Sequence, residues 1–127
     1  MTAAAIVAVF LLGIIVAFQA ALAFGAPWGA AAWGGQNPGV LPTRLRVASG
    51  ITALVIYPLI ALVILAAAGL IDDAWLPVDH GVAMWVLAGF LALGALLNLV
   101  SRSSRERIWG PVALAIAICC AIIALGV

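Results

Sequence analysis

The 127-residue sequence contains no lysine, only four acidic residues and a single histidine. Charged residues make up 7% of the chain, against about 25% in an average soluble domain. So few charges cannot solvate the surface of a water-soluble fold. With 69% hydrophobic residues and a mean hydropathy of +1.39, the chain must take lipid as its solvent. A net charge of +1 excludes a basic nucleic-acid footprint and an acidic tail, so no nucleic-acid partner is expected.

Catalytic and metal chemistry are equally thin. The two cysteines, Cys119 and Cys120, are adjacent in an apolar run. Neighbours on a helix point about 100° apart, so these two do not pair readily and read as small buried side chains. His80 with Asp73 and Asp79 falls short of the three or four fixed ligands a transition metal needs, and reads as part of a solvated connection. Ser49, Ser101, Ser103 and Ser104 have no histidine on their side of the membrane to act as base. No Asp or Glu falls inside a predicted span, which weighs against a proton relay. No catalytic residue, metal ligand or cofactor motif emerges, and the chain reads as a non-enzyme.

What the sequence has in quantity is long apolar runs. Four of them reach the roughly twenty residues that cross a bilayer, at about 3–24, 47–70, 81–100 and 108–127. They predict an all-α, four-helix membrane bundle forming one domain over residues 1–127. The first run is too long for a signal-peptide core, and Met1-Thr2 lacks the basic residues such a signal carries, so it is expected to be a retained span. Gly13, Ala17, Ala21 and Gly25 recur every four residues along it, as do Ala113, Ala117 and Ala121 along the last run. Such stripes let a neighbouring backbone approach closely. Pro58 inside the second run predicts a kink over residues 53–58. Residues 71–80 form an acidic connection, and Ser101–Arg107, SRSSRER, reads as a tight charged turn.

Charge placement orients the bundle. All five arginines (Arg44, Arg46, Arg102, Arg105, Arg107) fall in the first and third connections, and three of the four acidic residues fall in the second. Basic short loops stay cytoplasmic. Both termini are therefore expected outside, with the arginine-rich connections inside and the tryptophans forming belts at the two interfaces.

The first connection, residues 25–46, is too broken by glycine and proline for a helix and too apolar to float in water. Gly25, Gly29, Gly34, Gly35 and Gly39 alternate with Trp28, Trp33, Val40 and Leu41. A structured segment, re-entrant or lying at the interface, satisfies both properties. Gln36-Asn37-Pro38-Gly39 reads as the turn at its tip. Trp28, Trp33, Gly34, Gly35, Gln36 and Asn37 are the expected lid residues. Beneath them, depth counting places Gln19, Tyr57 and Asn98, with Ser49 on the first turn of the second helix. These four are the candidate ligand-binding residues. A competing reading has the three deeper polar side chains bonding one another as packing glue. Arg44 and Arg46, beside a helix N-terminus, form a candidate anionic-headgroup site, or serve topology alone.

The motifs GAPWG, AWGG and LPTRLRVASG in the first connection, with the serine-arginine turn before WGPVAL, resemble a family of small four-span bacterial integral membrane proteins. The resemblance implies the four-span architecture and a bacterial inner-membrane location. Membrane lipid is the expected partner, with a homo-oligomer or a larger membrane complex as the expected protein context. Two functions are expected to compete: binding or transport of a lipid or small hydrophobic or anionic solute in a cytoplasmic-side cavity, and an accessory or assembly role in a larger complex.

Overall fold

The computed structural model describes all 127 residues and contains helices and turns but no strand. Four helices are long and apolar enough to cross a membrane: α1 (Thr2–Ala23), α2 (Thr43–Ala67), α3 (His80–Leu99) and α4 (Glu106–Gly126). Short connections fold them into an up-down bundle. The pair α3 and α4 packs most extensively, α1 lies between α2 and α4, and α2 touches α3 only sparsely.

The helices present their largest apolar side chains outward. Phe10 is 68% exposed, Leu54 80% and Leu125 77%, an arrangement that is stable only against hydrocarbon. Alanine is the commonest member of the 18-residue core, which is closed by Leu12, Ile64, Met84, Ile116 and Ile123. That core draws on Ala5 to Ile15 of α1, Ile60 to Ala68 of α2 and its end, Ala83 to Leu91 of α3, and Ile116 to Ala124 of α4. All of it lies toward the termini and the acidic connection. The other half of the bundle, under the first and third connections, is packed differently and holds the cavities described below.

Two helix ends are set by glycine. Gly25 has φ +97° and follows α1; its N–H donates to Leu22 O and the next N–H, of Ala26, donates to Ala21 O. Gly69 repeats the pattern after α2, with φ +76° and bonds to Ala66 O and from Leu70 to Leu65 O. Both are Schellman caps, in which a left-handed residue satisfies carbonyls the helix leaves open.

The second helix starts and stops earlier than the apolar run suggests. Pro42 is extended and precedes the first helical residue, Thr43, so Arg44 and Arg46 lie on the first turn of α2 and not in a loop before it. Within the interval where Pro58 leads one to expect a kink, α2 makes a π-turn at Thr52–Ile56, and Tyr57 N–H donates to Thr52 O. Pro58 has no N–H to give, and the wider turn shifts the ladder past it. Thr52 Oγ1 donates to Ala48 O (3.2 Å) and Ser49 O (2.8 Å), occupying carbonyls that the shift disturbs.

The stripes of small residues divide. Ala113 and Ala117 of α4 are buried inside the bundle, whereas Gly13 and Ala17 of α1 face outward and are used by no helix of this chain.

At the far end, Asp79 Oδ1 accepts from Val82 N–H (3.0 Å) and caps α3, while His80 Nε2 meets Asp73 Oδ2 at 3.2 Å.

Candidate functional site

The first connection folds as two short 3-10 turns, Gly29–Ala31 and Trp33–Gly35. Gly29 N–H donates to Gly39 O (2.8 Å) and draws the two ends of the segment together. Ala32 and Leu41 bury with Leu22 against Phe18 and Leu45 and sink this part of the segment into the bundle end, while Trp28 and Val40 stay exposed. In the second turn the backbone is unusual. Trp33, Gly34 and Gly35 have consecutive φ values of 51°, 79° and 71°. Trp33 is the only non-glycine residue in this region of φ. It is held there by its indole, whose Nε1–H donates to Ser49 Oγ at 2.9 Å.

This backbone turns the Gly34 N–H toward the third connection, where it donates to Glu106 Oε2 at 2.7 Å. Ser103 Oγ donates to Ala30 O beside it. A Cβ at Gly35 would collide with the Ser103 side chain, so the two connections touch closely only because residue 35 is glycine. The lid is thus docked on the third connection.

Glu106 departs from the sequence reading. The segment Ser101–Arg107 is not simply a charged turn: Glu106 begins α4 and is buried, with 7% of its surface exposed. An acidic side chain therefore does stand at the head of a span. A sequence signal for this existed. Ser103-Ser104-Arg105-Glu106 has the S-x-x-E spacing of a capping box ahead of an apolar run. Glu106 N–H donates to Ser103 Oγ (3.4 Å), as that motif requires. Ser103 N–H, however, donates to Ser101 Oγ (3.2 Å), and the Glu106 carboxylate reaches across to the lid instead.

Below the lid is a cavity of about 310 Å3, walled by all four helices. Gln19 from α1, Tyr57 from α2 and Asn98 from α3 all line it, together with Trp33, Glu106 and Trp109. No hydrogen bond joins Gln19, Tyr57 and Asn98 to one another, so they are not packing glue in this conformation. Gln19 Oε1 and Trp109 Nε1 are buried with no partner. Outside lies a larger, open basin of about 1020 Å3, lined mostly by glycine and polar residues of the lid and third connection, including Gln36, Arg102 and Arg105. Trp33, Gly94, Asn98 and Glu106 line both spaces and form the partition between them.

The remaining expected residues sit elsewhere. Ser49 is fully buried and serves the Trp33 indole without lining the cavity. Trp28 lies on the outside, 49% exposed, stacked on Phe18 with centroids 6.3 Å apart and an interplanar angle of 4°. Asn37 borders neither space, and its carbonyl stands against Gly29. Arg44 is exposed. Arg46 Nε donates to Ala23 O at 3.1 Å, capping the C-terminus of α1. Family models, curated proteins and solved structures were compared with the chain, and none matches.

Replacing Ser103 by alanine removes its bonds to Ala30 O and to Glu106 N–H. We expect this to destabilise the docked lid by about 1–2 kcal/mol. Iodide quenching of tryptophan fluorescence in detergent should rise as Trp33 loosens. Unchanged quenching would show that the lid does not depend on this contact.

Proposed function

We propose that the chain is a non-catalytic membrane protein that binds, and in doing so can carry, a lipid or small amphipathic solute in the cavity beneath its lid. One observation carries this reading: three polar side chains from three helices converge on one space without bonding one another, and two buried polar atoms there are left without partners. Buried polar groups in proteins are nearly always satisfied, so two unpaired atoms on side chains that line a cavity favour an occupant. The sparse contact between α2 and α3 favours a lateral path, since Phe90 on that seam lines the cavity and is also 58% exposed. The family resemblance and the placement of the arginines favour the bacterial cytoplasmic membrane, with both termini outside and the cavity on the cytoplasmic side. Arg44, exposed at that interface, suits an anionic lipid headgroup.

Changing Gln19, Tyr57 and Asn98 together to leucine should abolish ligand retention while leaving a folded bundle. Mass spectrometry of extracts from protein purified in mild detergent reads this out. Identical co-purifying lipid and solute in the variant and the parent would remove the proposal. For orientation, a cysteine introduced at Ser104 should react with an impermeant maleimide only when the cytoplasmic face is open. Cys119 and Cys120 are buried and do not compete for the reagent. Labelling of intact cells would reverse the topology.

A second reading, an accessory or assembly subunit or a homo-oligomer, is favoured by the outward-facing Gly13 and Ala17 of α1. Native mass spectrometry should then show a complex that Gly13→Leu dissolves. A lone monomer in the parent protein would count against it.

A further inference from the structure

We propose that the occupant of this cavity carries a substituted ammonium group, held by the Glu106 carboxylate and the aromatic walls. This inference rests on the cavity being a binding site. Three features of the space point to a cation. The first is the Glu106 carboxylate, buried at the partition with one oxygen on the Gly34 N–H. None of the five arginines pairs with it; the ion pair of this chain is His80 with Asp73 at the opposite end. A buried carboxylate without a counter-charge is costly, and an organic cation supplies that charge.

The second is the wall. Trp33, Tyr57 and Trp109 bring three electron-rich rings to one cavity, and rings of this kind around a carboxylate are the chemistry that holds alkylated ammonium groups. The third is the polarity of the other groups. No basic side chain lines the inner cavity, and the buried Gln19 Oε1 is an unused acceptor. The unused donor, Trp109 Nε1–H, takes an oxygen carried by the same ligand. An anion would meet a carboxylate and three aromatic rings here, and no basic side chain.

The ammonium group can belong to a free solute or to a lipid headgroup, and the two are separable. Choline and its uncharged carbon isostere, dimethylbutanol, are titrated calorimetrically into the full-length protein in maltoside detergent. Choline should bind at least about tenfold more tightly than the isostere. Glu106→Gln should erase that preference while keeping an acceptor for the Gly34 N–H. Trp109→Leu should weaken choline binding with the carboxylate intact, and monodisperse elution with unchanged helical circular dichroism checks that each variant is folded. Competition by lysophosphatidylcholine but not lysophosphatidylglycerol identifies a lipid headgroup, and competition by neither identifies a free solute; both outcomes support the proposal. Equal competition by both lipids overturns it, because the tail then carries binding. Equal affinity for choline and dimethylbutanol overturns the ammonium assignment while leaving the cavity a binding site, and a choline preference that survives in folded Glu106→Gln overturns the role given to the Glu106 carboxylate. Binding of neither probe overturns it too, and the co-purification comparison then decides separately whether the cavity holds a ligand at all.

Discussion

The hydrogen bond from Gly34 N–H to the Glu106 carboxylate joins the two connections on which this end of the molecule depends. A bond to an ionised group contributes about 1.5–3 kcal/mol, roughly twice a neutral one, and this one spans 72 positions of sequence. Its geometry requires the left-handed turn through Trp33, Gly34 and Gly35. That turn in turn sets the Trp33 indole on Ser49 and places it in the wall between basin and cavity. Beside it, the first connection is seated by the Ser103 hydroxyl on Ala30 O, the Trp33 indole on Ser49 and the small apolar cluster around Leu22, Ala32 and Leu41. The serine and glutamate that could have closed a capping box within one helix end are used to tie two segments together.

The bundle has a packed half and a hollow half, and the boundary falls at a defect in α2. Toward the termini, alanines and branched residues interlock with no polar group among them. Toward the lid, the π-turn at Thr52–Ile56 offsets α2, and Thr52 and Tyr57, on either side of the defect, both face the cavity. A regular helix would have carried the dense packing onward. Proline at position 58 forbids one bond of the ladder, and the extra residue in the turn converts that loss into space between α2 and α3. Pi-turns recur at functional sites for this reason: they aim side chains that a regular helix would leave in register with its neighbours.

Much of this was legible in the residues. Apolar length alone defines the four spans, because an unbroken apolar run of about twenty residues in hydrocarbon satisfies its backbone within itself as a helix. Depth counting along three spans was enough to place Gln19, Tyr57 and Asn98 at one level, and they line one cavity. The limits were equally physical. A charged residue in a short turn looks solvated until its partner is known, and the partner of Glu106 is a backbone N–H, which carries no residue identity. Helix starts shifted for a similar reason: hydropathy marks where the apolar stretch begins, whereas Pro42 and the Ser103–Glu106 spacing mark where helical geometry begins. The stripe at Gly13 and Ala17 had the right spacing for close packing, but spacing cannot say whether the neighbour belongs to the same chain.

The arginines, which fix the expected topology, also bear on the chemistry of the cavity through what they are bonded to. At this end of the bundle α1 and α3 finish and α2 and α4 begin, so negative and positive helix poles alternate. Arg46 sits on the first turn of α2, where a cation is unfavourable, but its side chain reaches back to Ala23 O at the end of α1. Arg107 does the equivalent from the first turn of α4, with Nε on Ser101 O (2.8 Å) and a terminal nitrogen on Arg102 O (3.4 Å), just beyond the end of α3. Each of these guanidiniums is drawn to carbonyls at the close of the preceding helix. Arg102 and Arg105 border the outer basin and not the inner space. The positive charge available to neutralise Glu106 is thus distributed over helix ends and the rim. An excess of arginine around a single glutamate would ordinarily suggest an anion site. The bonding pattern argues for the opposite sign inside the cavity, because the one charge facing its interior is the carboxylate.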